Sequence, residues 1–141
     1  MKISIIIPNY NGNDLFKKNL PTVLKVKGME EIIVVDDGST DESVNYIKDQ
    51  IRQLAEKFKS FNSMQGKNAK LKIIENEKNL GFSSAVNRGV KEAKGEIIVL
   101  LNTDVSPEPD FLKPLLTHKY LPWVVWTKAL RVGKRFYAVG G

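Results

Sequence analysis

Apolar residues along this chain fall into short unbroken runs separated by polar stretches with helical spacing. Lys2–Pro8 (KISIIIP), Glu31–Asp36 (EIIVVD), Leu71–Glu75 and Glu96–Leu101 (EIIVLL) show almost no polar alternation, the pattern of strands buried on both faces. Between them the spacing predicts helices. The first lies within Asn13–Val26, with Pro21 starting a fresh turn. A second is capped by Ser39 or Thr40, carries Asp41 and Glu42 in its first turn, and runs to about Phe58 with Val44, Ile47, Ile51, Leu54 and Phe58 on one face. The third spans Phe82–Ala93, with Ala85, Val86, Val90 and Ala93 on one side and Gly95 as its stop. A fourth is predicted over Pro109–Tyr120, and the polar stretch Ser60–Asn68 reads as a loop. Val124–Trp126 and the apolar stretches around Gly133 suit a strand followed by a hairpin.

Apolar strands alternating with helices imply an α/β fold, a mainly parallel sheet flanked by helices on both faces. Sheets of this kind bind ligands beyond the carboxyl ends of their strands. The polar clusters fall at those ends: Pro8-Asn9-Tyr10-Asn11 after the first strand, Asp36-Asp37-Gly38-Ser39 after the second, and Asn102-Thr103-Asp104 after the fourth. No repeat, low-complexity tract or linker divides the chain.

Composition narrows the chemistry. The 141 residues are enough for one domain with one sizeable core. Without cysteine, disulfides, zinc–thiolate sites and thiol nucleophiles are excluded. The single histidine, His118, rules out a multi-histidine metal site and reads as a solvated helix residue. The longest apolar runs, such as Ile97–Leu101, are too short to span a bilayer, and the first twenty residues lack the apolar core of a secretion signal. A cytoplasmic location is expected, with peripheral association at the inner face of the membrane as an extension of it. The net charge of +6 is unevenly placed: residues 1–110 are balanced, and the excess lies in Lys113, Lys119, Lys128, Arg131, Lys134 and Arg135, interleaved with Tyr120, Trp123, Trp126, Phe136 and Tyr137.

Each cluster admits two readings. Asp36 and Asp37 point in opposite directions at a strand end, so one can face a ligand crevice and accept from a base N–H or ribose hydroxyl while the other is tied to backbone amides. The plain alternative is an Asp-Gly-Ser turn leading into the next helix. Asp104 closes an apolar strand, where a carboxylate wants a partner. Mg2+ or Mn2+ bridging it to a diphosphate is one such partner; the other reading is a turn ahead of Pro107 and Pro109. Tyr10 suits stacking on a base or ordinary packing. Asn79, Gly81 and Asn87 bracket the third helix start, where a phosphate or sugar could approach Gly81, or where helix entry alone accounts for them. The basic aromatic tail suits an anionic or lipid surface, or a hairpin. No G-x-G-x-x-G, G-x-x-x-x-G-K-[ST] or G-x-S-x-G motif is present, which removes dinucleotide-binding, P-loop and α/β-hydrolase readings.

Taken in order, ISIIIPNYNG, EIIVVDDGSTD, NLGFSSAVNRGVKEAKGEIIVLLNTDV and PEPDFL resemble the inverting family 2 glycosyltransferases of the GT-A, Rossmann-like nucleotide-diphospho-sugar transferase fold, over about residues 2–115. The resemblance implies that Pro8, Tyr10 and Asn11 line the nucleotide base, that Asp37 reads it beside Asp36, and that Gly81 and Asn87 lie beneath the nucleotide-sugar. Asp104 matches the last residue of the family's Asp-x-Asp metal signature, and Asn102 replaces its first carboxylate with a neutral oxygen donor. Asn-x-Asp versions resemble the rhamnosyltransferase-like branch, which makes a dTDP-linked sugar one implied donor beside an equally expected UDP-linked sugar, with Mg2+ or Mn2+; the implied acceptor is a saccharide or lipid-linked hydroxyl. Nucleic acid is not expected.

Transfer in such a family is a direct displacement with inversion, assisted by a carboxylate base beyond the metal signature. No Asp or Glu follows Asp110, and TKALRVGKRFYAVGG resembles the hairpin just past the metal site. The expectation is a single GT-A domain over 1–141, incomplete at its C-terminus, with a nucleotide-sugar part over 1–115 and a basic tail over 116–141. Such a chain should bind nucleotide and transfer little by itself. The competing expectation is a non-catalytic nucleotide-binding or interaction module whose basic tail contacts a membrane or polyanion.

Overall fold

The computed structural model describes residues 2–60, 70–117 and 135–139. In chain order the elements are β1 (Ile3–Asn9), α1 (Asn13–Val23), β2 (Glu31–Asp36), α2 (Ser43–Ser60), β3 (Lys70–Glu75), α3 (Phe82–Glu92), β4 (Ile97–Leu101), α4 (Leu112–Thr117) and β5 (Arg135–Val139). The five strands form one sheet in the order β3-β2-β1-β4-β5, and every neighbouring pair is parallel.

Parallel pairing explains the unbroken apolar runs. Ile5 and Ile7 of β1 pack with Phe16, Leu20 and Val23 of α1 and Ile47 of α2 in the core of one face. Ile6, between them, belongs to the opposite core with Ile33, Val35, Ile98 and Leu100 and with Ala85, Val86 and Val90 of α3. Both sides of the strand are therefore removed from water. Each such isoleucine contributes about 1.5–3 kcal/mol of burial. Gly89 lets α3 settle on the sheet, since a Cβ there would lie 2.7 Å from Ile6 Cγ2.

The N-terminal edge of the sheet holds a buried polar network. Glu31 accepts from Ser4 Oγ at 2.7 Å and from the Lys94 amide at 2.6 Å, and pairs with Lys72 Nζ at 2.5 Å. Ser4 Oγ in turn accepts from the Gly95 amide at 2.8 Å. Burial pushes the Glu31 pKa up, but the Lys72 ammonium and these donors outweigh it and hold it below the ordinary glutamate value.

Several boundaries differ from the sequence expectations. Helix α1 runs straight through Pro21. Pro21 and Lys17 are both exposed, so the carbonyl that proline leaves unpaired at Lys17 faces water. Helix α2 starts at Ser43, with no acid in its first turn. Ser39 and Thr40 do not cap it; the Asp41 carboxylate receives the Ser43 amide at 3.0 Å. Ser60 closes α2 rather than opening a loop, and 61–69 lie outside the described residues. Helix α3 ends at Glu92, with Ala93 extended, so Gly95 is not its stop. Gly95 is demanded by packing instead: a Cβ would sit 2.5 Å from the Ser4 nitrogen. Helix α4 begins at Leu112, later than Pro109. In the tail, Arg135–Val139 is a strand paired in parallel with β4; His118, Val124–Trp126 and Gly133 lie outside the described residues.

Candidate functional site

In the order β3-β2-β1-β4-β5, β1 is followed in the chain by β2 on one side, while β4 is added on the other. A crevice opens beyond the carboxyl ends of strands at such a reversal. Asn9 ends β1 opposite Asp36 of β2 in register, and the Asn102–Asp104 turn follows β4 next door.

The two adjacent carboxylates are held on different sides. Asp36, 2% exposed, accepts from Asn9 Nδ2 at 2.7 Å, Ser39 Oγ at 2.6 Å and the Ser39 amide at 2.9 Å. Asp37, 4% exposed, reaches toward β3 and α3, accepting from Asn76 Nδ2 at 2.7 Å and from the amides of Leu80 at 2.9 Å and Gly81 at 2.8 Å. Burial pushes the Asp37 pKa up, but those three donors overcome it and leave the carboxylate more acidic than an ordinary aspartate. Arg88 donates to the Glu75 carbonyl at 2.8 Å and to Asn76 Oδ1, which orients the Asn76 amide toward Asp37.

Loops around this pair are braced against one another. Asn11, at φ +52°, donates its amide to Ser39 Oγ at 2.8 Å, and its side-chain oxygen receives the amides of Thr40 at 2.8 Å and Asp41 at 3.3 Å. Asp41 receives the Asn13 amide at 3.0 Å as well as Ser43, so one carboxylate anchors the starts of α1 and α2. Burial raises its pKa, but hydrogen bonds from Ser43 and Asn13 more than offset this and lower it. Gly38, at φ +75°, lies against the backbone of Lys78 and Asn79, where a Cβ would come within 2.6 Å.

Pro8 is half-buried in β1, and Tyr10 projects from the strand end with 52% exposure. Gly81, at φ +95°, has open space on its Cβ side, and Asn87 is exposed on α3. Asp104 is exposed, with no hydrogen bond or ion pair among the described residues, and Asn102 is half-buried. No cluster of three or more His, Asp or Glu side chains occurs among the described residues. Asp104 and Asn102, two residues apart in one turn, offer a carboxylate and an amide oxygen, an oxygen-only donor set. That suits Mg2+ or Mn2+, which take one or two carboxylates plus substrate phosphates, and not zinc.

The Asn102–Asp104 turn is joined to the rest of the rim. Gly12 lies against it, with its Cβ position 3.6 Å from Thr103 Cγ2 and 2.3 Å from Asn9 Oδ1. The rim therefore brings together Tyr10, Asn11, Asp36, Asp37 and Gly81 through direct bonds or chain neighbours, with Asn102 and Asp104 linked through Gly12. Asn87 stands apart on its helix. Sequence reasoning placed Asn9 and Ser39 in the polar clusters and Ser39 and Asp41 at a helix start without giving them these bracing contacts, and it did not single out Asn19 or Asn76. A signal existed for Asn19, an amide on the apolar stripe Phe16-Leu20-Val23, all of which is buried. None existed for Asn76, whose role depends on a fold-level approach.

Comparison with known proteins agrees with this architecture. The profile described as Glycosyl transferase family 2 matches residues 4–128, and the chain belongs to that family. The dolichol-phosphate mannosyltransferase of Pyrococcus furiosus is 31% identical over 118 residues, covering 82% of this chain and 29% of its own. The mannosyltransferase PcManGT of Pyrobaculum calidifontis, solved with GDP-Man and Mn2+, superposes with a TM-score of 0.67 at 26% identity, covering 86% of this chain and 33% of its own. TarS of S. aureus, solved with UDP-GlcNAc, shares the fold with a TM-score of 0.60 at 23% identity, over 91% of this chain and 39% of its own. The fold is thus GT-A, and this chain spans about a third of the length of these relatives. No helix among the described residues is long and apolar enough to cross a membrane.

Proposed function

We propose that this chain carries the donor-binding part of a glycosyltransferase that moves a sugar from a nucleotide diphosphate to an acceptor hydroxyl with inversion. The reading rests on one observation above all: Asp104, an exposed carboxylate without a partner among the described residues, lies in the turn that follows β4, the strand beside β1, on the same braced rim as Asp36 and Asp37. Tyr10 supplies a ring face for the base, with Asn11 beside it in the loop and Pro8 at the end of β1 just before. Asp37 uses three of roughly four lone-pair directions internally, which leaves one for a base N–H. Gly81, with open space where a side chain would be, lets the phosphates or sugar approach closely, with Asn87 farther along α3. Asp104, assisted by Asn102, would hold a divalent cation, which supplies charge neutralisation for the departing diphosphate.

The donor base is uracil, thymine or guanine; guanine joins the two implied by the sequence because a mannosyltransferase relative was solved with GDP-Man. A saccharide or lipid-linked hydroxyl is the acceptor. The rhamnosyl branch is one candidate for the sugar, through Asn102 in the metal signature.

Calorimetric titration with UDP, dTDP and GDP, with and without Mn2+, tests this reading beside Asp104→Ala. Metal-enhanced binding of one nucleotide, lost in the variant, is the expected result. Equal affinity with and without metal, or no binding of any nucleotide, would overturn it.

A further inference from the structure

Asn19 lies on α1, an element that carries none of the residues assigned to the site, and it is 4% exposed among Phe16, Leu20 and Val23. A buried amide on an apolar stripe costs stability unless it is used. Here Nδ2 donates to the Thr103 carbonyl at 2.9 Å, across 84 residues of chain. Thr103 is the middle residue of the turn whose flanks are Asn102 and Asp104.

A second tie stands one turn along the same helix. Thr22 Oγ1 donates to the Asn19 carbonyl at 2.7 Å and lies 3.1 Å from Ser106 Oγ. With the single Thr22 proton committed to Asn19, Ser106 is the donor in that pair. Farther on, the Lys27 amide donates to the Pro109 carbonyl at 2.8 Å. The segment after β4 is therefore fastened to α1 and its extension at 103, 106 and 109. Of these ties only Asn19 is a buried side chain, and only it meets the turn between the two candidate metal ligands.

We infer that Asn19 is a positioning residue for the divalent cation: its amide fixes the Thr103 carbonyl, and through that peptide the direction in which Asn102 and Asp104 present their oxygens. The inference rests on the donor-site reading above. A metal held by one carboxylate and one neutral oxygen has few protein ligands, so their orientation weighs heavily on affinity. Free rotation of the Thr103 peptides would let Asp104, exposed and unpaired among the described residues, sample directions away from the diphosphate.

The test is Mn2+ binding, read by electron paramagnetic resonance and by calorimetry with UDP, dTDP or GDP, whichever the wild-type chain binds. Asn19→Leu keeps the branched shape and removes the donor; Asn19→Ser serves where the bulkier apolar variant does not fold. Outer partners of metal ligands typically carry about 10–100-fold in affinity, and a loss of about tenfold in Mn2+ affinity is expected, with metal-free nucleotide affinity unchanged. Undiminished Mn2+ affinity in a folded variant overturns the inference. Equal loss of metal-free and metal-dependent binding also overturns it, since that marks a merely structural role. If the wild-type chain shows no metal-enhanced binding, the donor-site reading itself falls, a result distinguishable from failure of Asn19 alone.

Discussion

The Gly81 amide donates to Asp37 Oδ2 at 2.8 Å, joining the entry of α3 to the end of β2. With φ +95° at Gly81, this carboxylate meets two successive amides, those of Leu80 and Gly81, and stays ionised inside the protein.

Stability should fall in acid for that reason. Asp37, Asp41 and Glu31 are all more acidic in the folded protein than in the free chain, whose ordinary values are 3.8 for aspartate and 4.5 for glutamate. Their contribution is complete above the unfolded values and is lost as pH drops through the lowered folded ones. Urea midpoints should be level from about pH 5 to neutrality as far as these groups are concerned, and should decline below about pH 4.5. Asp37→Asn should flatten part of that decline. A midpoint that rises on acidification would contradict the assignment.

Asn102→Asp gives the turn a second carboxylate. Cation affinity follows ligand charge, so Mn2+ should bind more tightly by something on the order of tenfold in the presence of nucleotide. Without metal the two neighbouring carboxylates repel, and the thermal midpoint should fall slightly. Calorimetry with and without Mn2+ measures both effects. Unchanged metal affinity would place the cation elsewhere.

Tyr10→Ala removes a ring that is already half in solvent, so the fold should not notice. Nucleotide affinity should fall by about 1–3 kcal/mol, the usual worth of a base stacked on an aromatic side chain. Tyr10→Phe should restore it. If alanine binds as well as tyrosine, the base does not rest on this ring.

Gly38→Ala and Gly28→Ala separate two costs. Both positions have left-handed backbones, at φ +75° and +84°. Each substitution therefore carries about 1–2 kcal/mol of backbone strain. Gly28 has nothing within 4 Å of its Cβ position, whereas Gly38 would drive a methyl to 2.6 Å from the Lys78 carbonyl carbon. Gly38→Ala should thus destabilise distinctly more in urea and should also weaken nucleotide binding, because it separates the Asp37 loop from Leu80 and Gly81. Equal destabilisation by the two changes would mean the loops part without cost.

The sheet was legible in the sequence because its physics is local: a strand buried on both faces must be apolar at nearly every position, and β1, β2 and β4 are. Helix limits were less legible where a side chain has two uses. Ser39 and Thr40 have the chemistry of helix caps, yet both bond residues of Asn9–Asn11, contacts made across 28 to 30 residues of chain. Gly95 resembled a helix stop, but its reason is the approach of Ser4 from β1. At the site, the clusters after β1, β2 and β4 stood out as polar breaks in apolar runs. Their internal wiring did not. Nothing in the order Asp36-Asp37 says that one carboxylate turns to Ser39 and the other to Leu80 and Gly81, since that depends on where the next loop arrives.

Asn11 carries the last consequence. Its amide and side-chain oxygen tie the loop after β1 to Ser39, Thr40 and Asp41 through bonds made wholly within the protein. The ordering entropy of both loops is therefore spent during folding rather than at encounter, and a partner arriving there meets a preorganised surface. Association should be fast and close to rigid-body, and an Asn11→Gly chain should bind the same molecule more slowly and with a larger entropic penalty.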